Sequence, residues 1–468
     1  MTHKNYSKGL FIFHRDLRIV DNIGLLQASK ECKELYVCFV FTPEQVGKAN
    51  TYRSSNAIQF MIESLEDLAT EIKKKGGELY TFYGKQNKVI DQFIKKCHIE
   101  AVFFNKDYTP YAVERDNSTA EFCNKHHIDC KSYSDYYLFE PGTITTGSKT
   151  AFKKYTPFYE HVIQKKVENP NMSPISNMSE ITVSLENRIP LNDAARLFTK
   201  ENPHILVHGG RKHAIHRLKQ SLTEQRDYEK KRDFLSYNTS FLSAYIKFGC
   251  VSIREVYYAY KEKYSVGHGL IRELIWREFF AHVLYAFPEV VGKSYQPKFQ
   301  KIKWRNSSVD FQRWCDGATG FPAVDAGMRQ LNATGYMHNR LRMLTASFLI
   351  KVLLIDWREG EKYFAKNLTD YDIASNNGNW QGISGTGVDM KPYFRDMNPW
   401  IQSAKFDKDA EFIKKWVPEL AEVNAKDIHK WYVAHADPKY KSIKYSKPMV
   451  DYTEQKEKMM DMYHDALN

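Results

Sequence analysis

Three short stretches bring together residue types that do chemistry. The helical run 340–355 is apolar on nearly every side, yet Arg342 sits among Leu341, Met343 and Leu344. A guanidinium in such surroundings needs an anionic partner, because an unpaired buried charge is costly. Asp370 and Asp372, in TDYDIASNNGNW, form the nearest acidic pair downstream. That pairing either closes two helices or lines the site of a polar cofactor. NTSFLSA (238–244) gathers Thr239, Ser240 and Ser243 ahead of a helical pattern. Hydroxyls and backbone amides at a helix start can hold a phosphate, and they can equally just cap the helix. ELIWREFF (273–280) places Glu273, Trp276 and Arg277 on one side of a helix by the i, i+3, i+4 rule. A carboxyl, an indole face and a guanidinium suit a flat, phosphate-bearing ligand such as a nucleobase. The same set also reads as an ion pair beside a core tryptophan. No GxGxxG or Walker pattern is present, which excludes an ordinary dinucleotide fold or a P-loop.

The chain that must position these groups has 468 residues, enough for two or three domains. Hydrophobic residues make up 43% and charged residues 26%, which excludes a disordered chain. No apolar run approaches the roughly 18 residues of a membrane span. A strand-like run begins at Leu10, so no secretion signal is expected and the protein is expected to be intracellular. Seven cysteines lie scattered without CxxC spacing, so neither a metal site nor a disulfide framework is expected. The net charge of +12 permits a polyanionic partner without requiring one. All eight tryptophans lie at or beyond residue 276, so the two parts of the chain are expected to have different jobs.

Strand patterns at 10–14, 35–41, 79–83, 101–105 and 129–133 alternate with helical ones. Between 54 and 75, Ile58, Met61, Leu65, Leu68 and Ile72 recur at helical spacing, and Asp21 is a candidate cap for the first helix. This alternation predicts a doubly wound parallel sheet whose binding edge lies at the carboxyl ends of its strands. His14-Arg15-Asp16 and Asn105-Lys106-Asp107 sit at two of those ends. Composition divides the chain into an α/β domain (1–138), a polar interdomain linker (139–212) and an all-α domain (213–468).

Six blocks occur in order: HRDLRIVDN (14–22), NTSFLSA, ELIWREFF, TGFPAVDAGMRQLNATGYMHNRLRM (319–343), DWREGEKYF (356–364) and NNGNWQG…PYFRDMNP (376–399). The series resembles the photolyase/cryptochrome family over nearly the whole chain, most closely its class I cyclobutane pyrimidine dimer photolyases. The resemblance implies a Rossmann-like antenna-type domain followed by a helical FAD-binding domain. Tyr228, Thr239, Ser240, Phe241, Leu242 and Ser243 would contact the FAD phosphates and ribityl chain. Asn339, Arg342, Asp370, Tyr371 and Asp372 would hold the two ends of a U-shaped FAD, and Asn376 would face flavin N5. Trp380, Trp357 and Trp304 match an electron-transfer chain from flavin to surface. Trp276 would stack on the flipped lesion, Glu273 would hydrogen-bond it, and Asn339 and Met343 would line its pocket. Arg232, Arg277, Arg340, Arg395 and Gln402 would form the DNA-facing rim. The implied activity is a carbon–carbon lyase reaction in which excited, reduced FAD (FADH−) gives an electron to the dimer and recovers it once the ring has split. The implied partner is UV-damaged DNA, bound by a monomer with no membrane and no obligatory protein partner.

Three departures qualify this. Most class I relatives carry a second lesion-stacking tryptophan where this chain has Gly382, and Trp400 is the residue expected to fill the gap. The active-site histidine pair of (6-4) photolyases is absent, which favours the cyclobutane lesion. The stretch DYTPY (107–111) has Thr109 where folate-binding members often have glutamate, leaving a second, antenna chromophore open. The alternative function is a blue-light photoreceptor of the cryptochrome type. The short segment after PMVDY (448–452) favours the enzyme, because signalling members usually add a long tail.

Overall fold

The computed structural model describes residues 5–389 and 392–467. Five parallel strands form the sheet: β1 (Tyr6–Phe13), β2 (Cys32–Phe41), β3 (Leu79–Tyr83), β4 (Ala101–Asn105) and β5 (Asp129–Tyr133). They lie in the order β3-β2-β1-β4-β5, with Leu10 opposite Tyr36 and Val102. The central strands are buried on both faces, which is why they read as near-continuous apolar runs. Gly9 is required in β1: a Cβ there would lie 2.4 Å from the Cys32 sulfur. The intervening helices are α1 (Ile23–Glu31), α2 (Ser55–Lys74), α3 (Gln86–Cys97) and α4 (Pro110–Lys125). Of the expected stripe in α2, Ile58, Leu65, Leu68 and Ile72 are buried and Met61 is half-buried, and Ser54 caps its start.

The cap of α1 is Asn22, not Asp21. Asp21 has φ +50° and turns its carboxylate to Arg254 Nε at 2.9 Å and to the Asn171 amide at 2.7 Å. An ion pair with a buried arginine outweighs a helix cap as a use for that charge.

Two compact units divide the chain. One holds Met1–Asn202, Val207–Arg226 and Ser240–Pro288; the other holds Pro203–Leu206, Asp227–Thr239 and Glu289–Asn468. The division at 138 and 212 is one of composition, whereas compactness places further helices with the sheet, among them α5 (Tyr155–Val162), α6 (Ile253–Lys263) and α7 (Gly269–Ala286). Buried charge is the physical reason. Arg18 donates twice to Asp135, at 2.7 and 2.8 Å, and Arg254 donates to the same carboxylate at 2.8 Å. Burial alone would raise the Asp135 pKa, but the two guanidiniums outweigh it and hold the group below the usual carboxylate value. On α7, the fully buried Glu278 accepts the amides of Leu138 and Phe139 at 3.0 and 3.1 Å.

The second unit is helical. It packs α8 (Pro322–Thr334), α9 (Asn339–Lys351), α10 (Trp357–Asn367), α11 (Ile373–Ser384) and α12 (Pro399–Phe406) around one core containing Trp314, Leu341, Phe348, Trp357 and Trp380. Among the described residues, no helix is long and apolar enough to cross a membrane.

The Asp135 cluster predicts a sharp stability loss. Replacing Asp135 with Ala takes the buried Arg18 guanidinium's carboxylate away and leaves Arg254 with Asp21 alone, and should cost about 3–5 kcal/mol, read from urea denaturation.

Candidate active site

In the helical unit, the turn before α9 and the loop before α11 bring the predicted charges together. Arg342 forms a two-pronged pair with Asp370, at 3.1 and 2.9 Å, and its Nε donates to Met337 O at 2.8 Å. Burial would lower the guanidinium pKa; the Asp370 carboxylate outweighs that and raises it, so Arg342 stays charged. The Asp370 side chain is 6% exposed, while Arg342 keeps 25% of its own open. An arginine sealed against its partner but open on another edge is suited to a ligand. The second acid, Asp372, caps α11 by accepting the Ser375 amide. Tyr371 packs against the core.

One turn into α11, the Asn376 amide nitrogen donates to both the backbone oxygen and the carboxylate of Glu361, at 3.1 Å each. This fixes the amide's orientation and turns its carbonyl oxygen away from Glu361. The next turn carries Trp380, which is buried edge-on to Phe364 and Trp314 at 5.0 and 6.4 Å. Trp380 lies so close to α10 that a Cβ on Gly360 would meet its ring at 2.2 Å. Trp357 is equally buried in the same core, whereas Trp304 is half-buried at its margin and meets Tyr463 edge-on at 6.2 Å.

Tyr228 is buried under Arg232, whose guanidinium lies 5.7 Å from the ring. Thr239 shares a hydrogen bond with Tyr336 at 3.3 Å. Asn339 opens α9, behind the cap His338. Met343, Ile383, Phe394 and Arg395 line a cavity of about 310 Å³.

The remaining predicted residues belong to the sheet-bearing unit. Ser240, Phe241 and Leu242 lead into the helix that Ser243 opens, and Phe241 takes φ +52° beneath Arg217. That helix has only five residues and no side-chain cap, so it offers one strained residue instead of a long helix's terminus. On α7, Glu273 lies one turn before Trp276 and Arg277. Trp276 is half-buried and stacked on Tyr155, with ring centroids 3.5 Å apart and planes 4° apart.

Two expectations need correction. Arg277 does not face a rim: its side chain is 14% exposed, donates to Tyr136 O at 2.7 Å and lies over the Tyr137 ring. Trp400 does not fill the place left by Gly382. It stacks on Phe321 at 4.7 Å and packs against the helical core, because α12 needs an apolar anchor there. Of the other rim residues, Arg232 and Arg395 are exposed, Arg340 pairs with Asp233 at 2.5 Å over the Phe406 ring, and Gln402 is half-buried.

Residues 10–174 match the DNA photolyase family model, and residues 270–465 match the model for the FAD binding domain of DNA photolyase. A deoxyribodipyrimidine photo-lyase of Halobacterium salinarum is 33% identical over 98% of this chain and 99% of its own. The chain belongs to the photolyase/cryptochrome family. An archaeal photolyase of Sulfolobus tokodaii, crystallised with two FAD molecules, is 38% identical, with 98% and 100% of the two chains covered and a TM-score of 0.86. A Synechocystis cryptochrome is 25% identical, with 99% and 100% covered and a TM-score of 0.89.

The residues present fit a flavin. The open edge of Arg342 offers a fixed cation, and Asn376 holds a carbonyl oxygen ready to accept a ring N–H. Sequence reasoning missed Glu361, which aims that amide, Gly360, which admits Trp380, and Tyr155. Glu361 and Gly360 sit inside the DWREGEKYF block, where a glycine within a helical pattern was the available signal.

His338 supplies a pH test. Its Nδ1 accepts the Arg340 amide, and burial pushes its pKa down to about 4. Below its ordinary value of 6.5 the unfolded chain takes up a proton that the folded one refuses, so stability falls as pH drops toward 4. Between pH 7 and 5 the wild type should lose roughly 2 kcal/mol more than His338→Asn, which keeps the cap acceptor, in denaturation curves at both pH values.

Proposed function

We propose that this protein repairs cyclobutane pyrimidine dimers in DNA under light, with FAD bound by the helical unit. The observation that carries the reading is the Arg342–Asp370 pair with the oriented Asn376 amide, inside a region that matches a photolyase FAD-binding domain. Bound, reduced FAD supplies the excited electron that opens the cyclobutane ring. The protein's part is to hold, orient and exclude water.

A dimer inside a duplex is out of reach of a buried site and has to be flipped out, at a cost of a few kcal/mol. Stacking on an aromatic face such as Trp276 returns roughly 1–3 kcal/mol per base. Glu273, one turn earlier, would hydrogen-bond the flipped bases, and Asn339 and Met343 would border them. Exposed Arg232 and Arg395 would contribute sequence-independent, salt-sensitive attraction to phosphates. Arg342 and Asp370 would set the charge beside the flavin, and Tyr228 with the 239–243 segment would take its phosphate side. Trp380, Trp357 and Trp304 would pass electrons between the flavin and the surface, in keeping with their ordering from buried to half-exposed. The Sulfolobus structure's second FAD supports a second light-harvesting chromophore here as well.

Illumination of the reduced, FAD-loaded protein with a dimer-containing oligonucleotide tests the reading. Dimers should disappear under blue or near-UV light and persist in darkness. Binding without any loss of dimers would instead favour a receptor. Glu273→Ala should keep its FAD and lower repair per absorbed photon about 3- to 10-fold, the order of one ordinary hydrogen bond.

The tryptophan chain gives a separate expectation. Trp357→Phe should slow photoreduction of oxidised protein in a transient-absorption measurement, while protein reduced beforehand repairs dimers normally.

A further inference from the structure

Tyr155 comes from the polar stretch between the sheet and the helical segments, a region that looked like simple connection. It opens α5, the short linker helix Tyr155–Val162, and lies flat on Trp276, 3.5 Å between centroids and 4° between planes. Its hydroxyl donates to Arg272 O at 2.9 Å, one turn before Trp276 on the same helix. Three residues further on, Phe158 meets Phe279 at 5.5 Å and His282 at 5.3 Å. The linker helix is therefore fastened to the indole-bearing helix along one continuous aromatic seam.

An indole has two faces, and a parallel ring at this spacing occupies one of them completely. Phe280 also stacks on Trp276, but more loosely, at 5.6 Å and 27°. Both Tyr155 and Trp276 remain half-buried, so their stack stands at an accessible surface and not in a sealed core. A half-exposed tryptophan without such a backing would sample several rotamers, and a ligand would have to order it on binding.

We propose that Tyr155 is a positioning residue for lesion recognition: by covering one face of Trp276 it holds the indole still and presents the opposite face to the flipped dimer. This rests on Trp276 being the stacking wall for the lesion.

The test compares dark binding of FAD-loaded protein to two oligonucleotides of one sequence, with and without a single thymine dimer. Tyr155→Leu, which keeps a branched apolar side chain without a π face, and Tyr155→Ala should each weaken dimer binding about 2- to 10-fold, the worth of one aromatic pair. Tyr155→Phe should restore wild-type affinity, since the ring suffices. Binding of undamaged DNA and repair per photon at saturation should not change in any of the three. FAD content and melting curves confirm that each variant is folded. If Trp276→Ala weakens dimer binding while Tyr155→Leu binds normally, the positioning role is wrong. Tighter binding by Tyr155→Ala would also overturn it, by showing that Tyr155 sits on the face the lesion needs. If Trp276→Ala has no effect on dimer binding, the stacking wall is lost and this proposal with it.

Discussion

Removing a guanidinium and a carboxylate from water costs several kcal/mol per ion, and only close, two-pronged geometry brings that back. The Arg342–Asp370 pair meets the condition, and much of the helical unit exists to keep it met. The buried helix 339–351 sets the arginine, Met337 O takes its third donor, and the loop before 373–384 delivers the aspartate. A fixed cation and anion cannot reorient as water does. Charges arranged in advance stabilise a charged ring system without reorganisation during the reaction. The same loop starts the helix bearing Asn376 and Trp380, so one short segment places the anion, the amide and a buried indole.

The sheet-bearing unit depends on a second set of buried charges. Asp135, Arg18, Arg254 and Asp21 tie the carboxyl edge of the sheet to the helix at 253–263, and Glu278 ties 269–286 to the chain leaving the sheet. Helix 269–286 also carries Glu273 and Trp276. The element proposed for lesion recognition is thus anchored by buried hydrogen bonds and ion pairs, and rigid supports of this kind are what a binding site needs to hold its geometry. Gly382 is the notable gap. Among the described residues, a Cβ there would meet only Asp389 O, at 3.8 Å, at the position where the family usually has a second tryptophan. Trp400 cannot swing toward that position without giving up its stack on Phe321.

The sequence by itself determined the parallel sheet, its edge residues, the helical second part and the need for a partner to Arg342. These follow from hydrophobic periodicity and from the cost of a lone buried charge, both readable along the chain. Ordered motifs then carried the family. Tertiary structure decided the rest. It chose Asp370 over Asp372 as partner, because Asp372 is used to cap a helix. It turned Arg277 inward to a backbone oxygen and an aromatic face, and it made Asn22 the cap in place of Asp21. It also laid Tyr155 on Trp276 across more than a hundred residues. No local pattern encodes which of two competent groups wins a contact, since that depends on which one the packed backbone brings within about 3 Å.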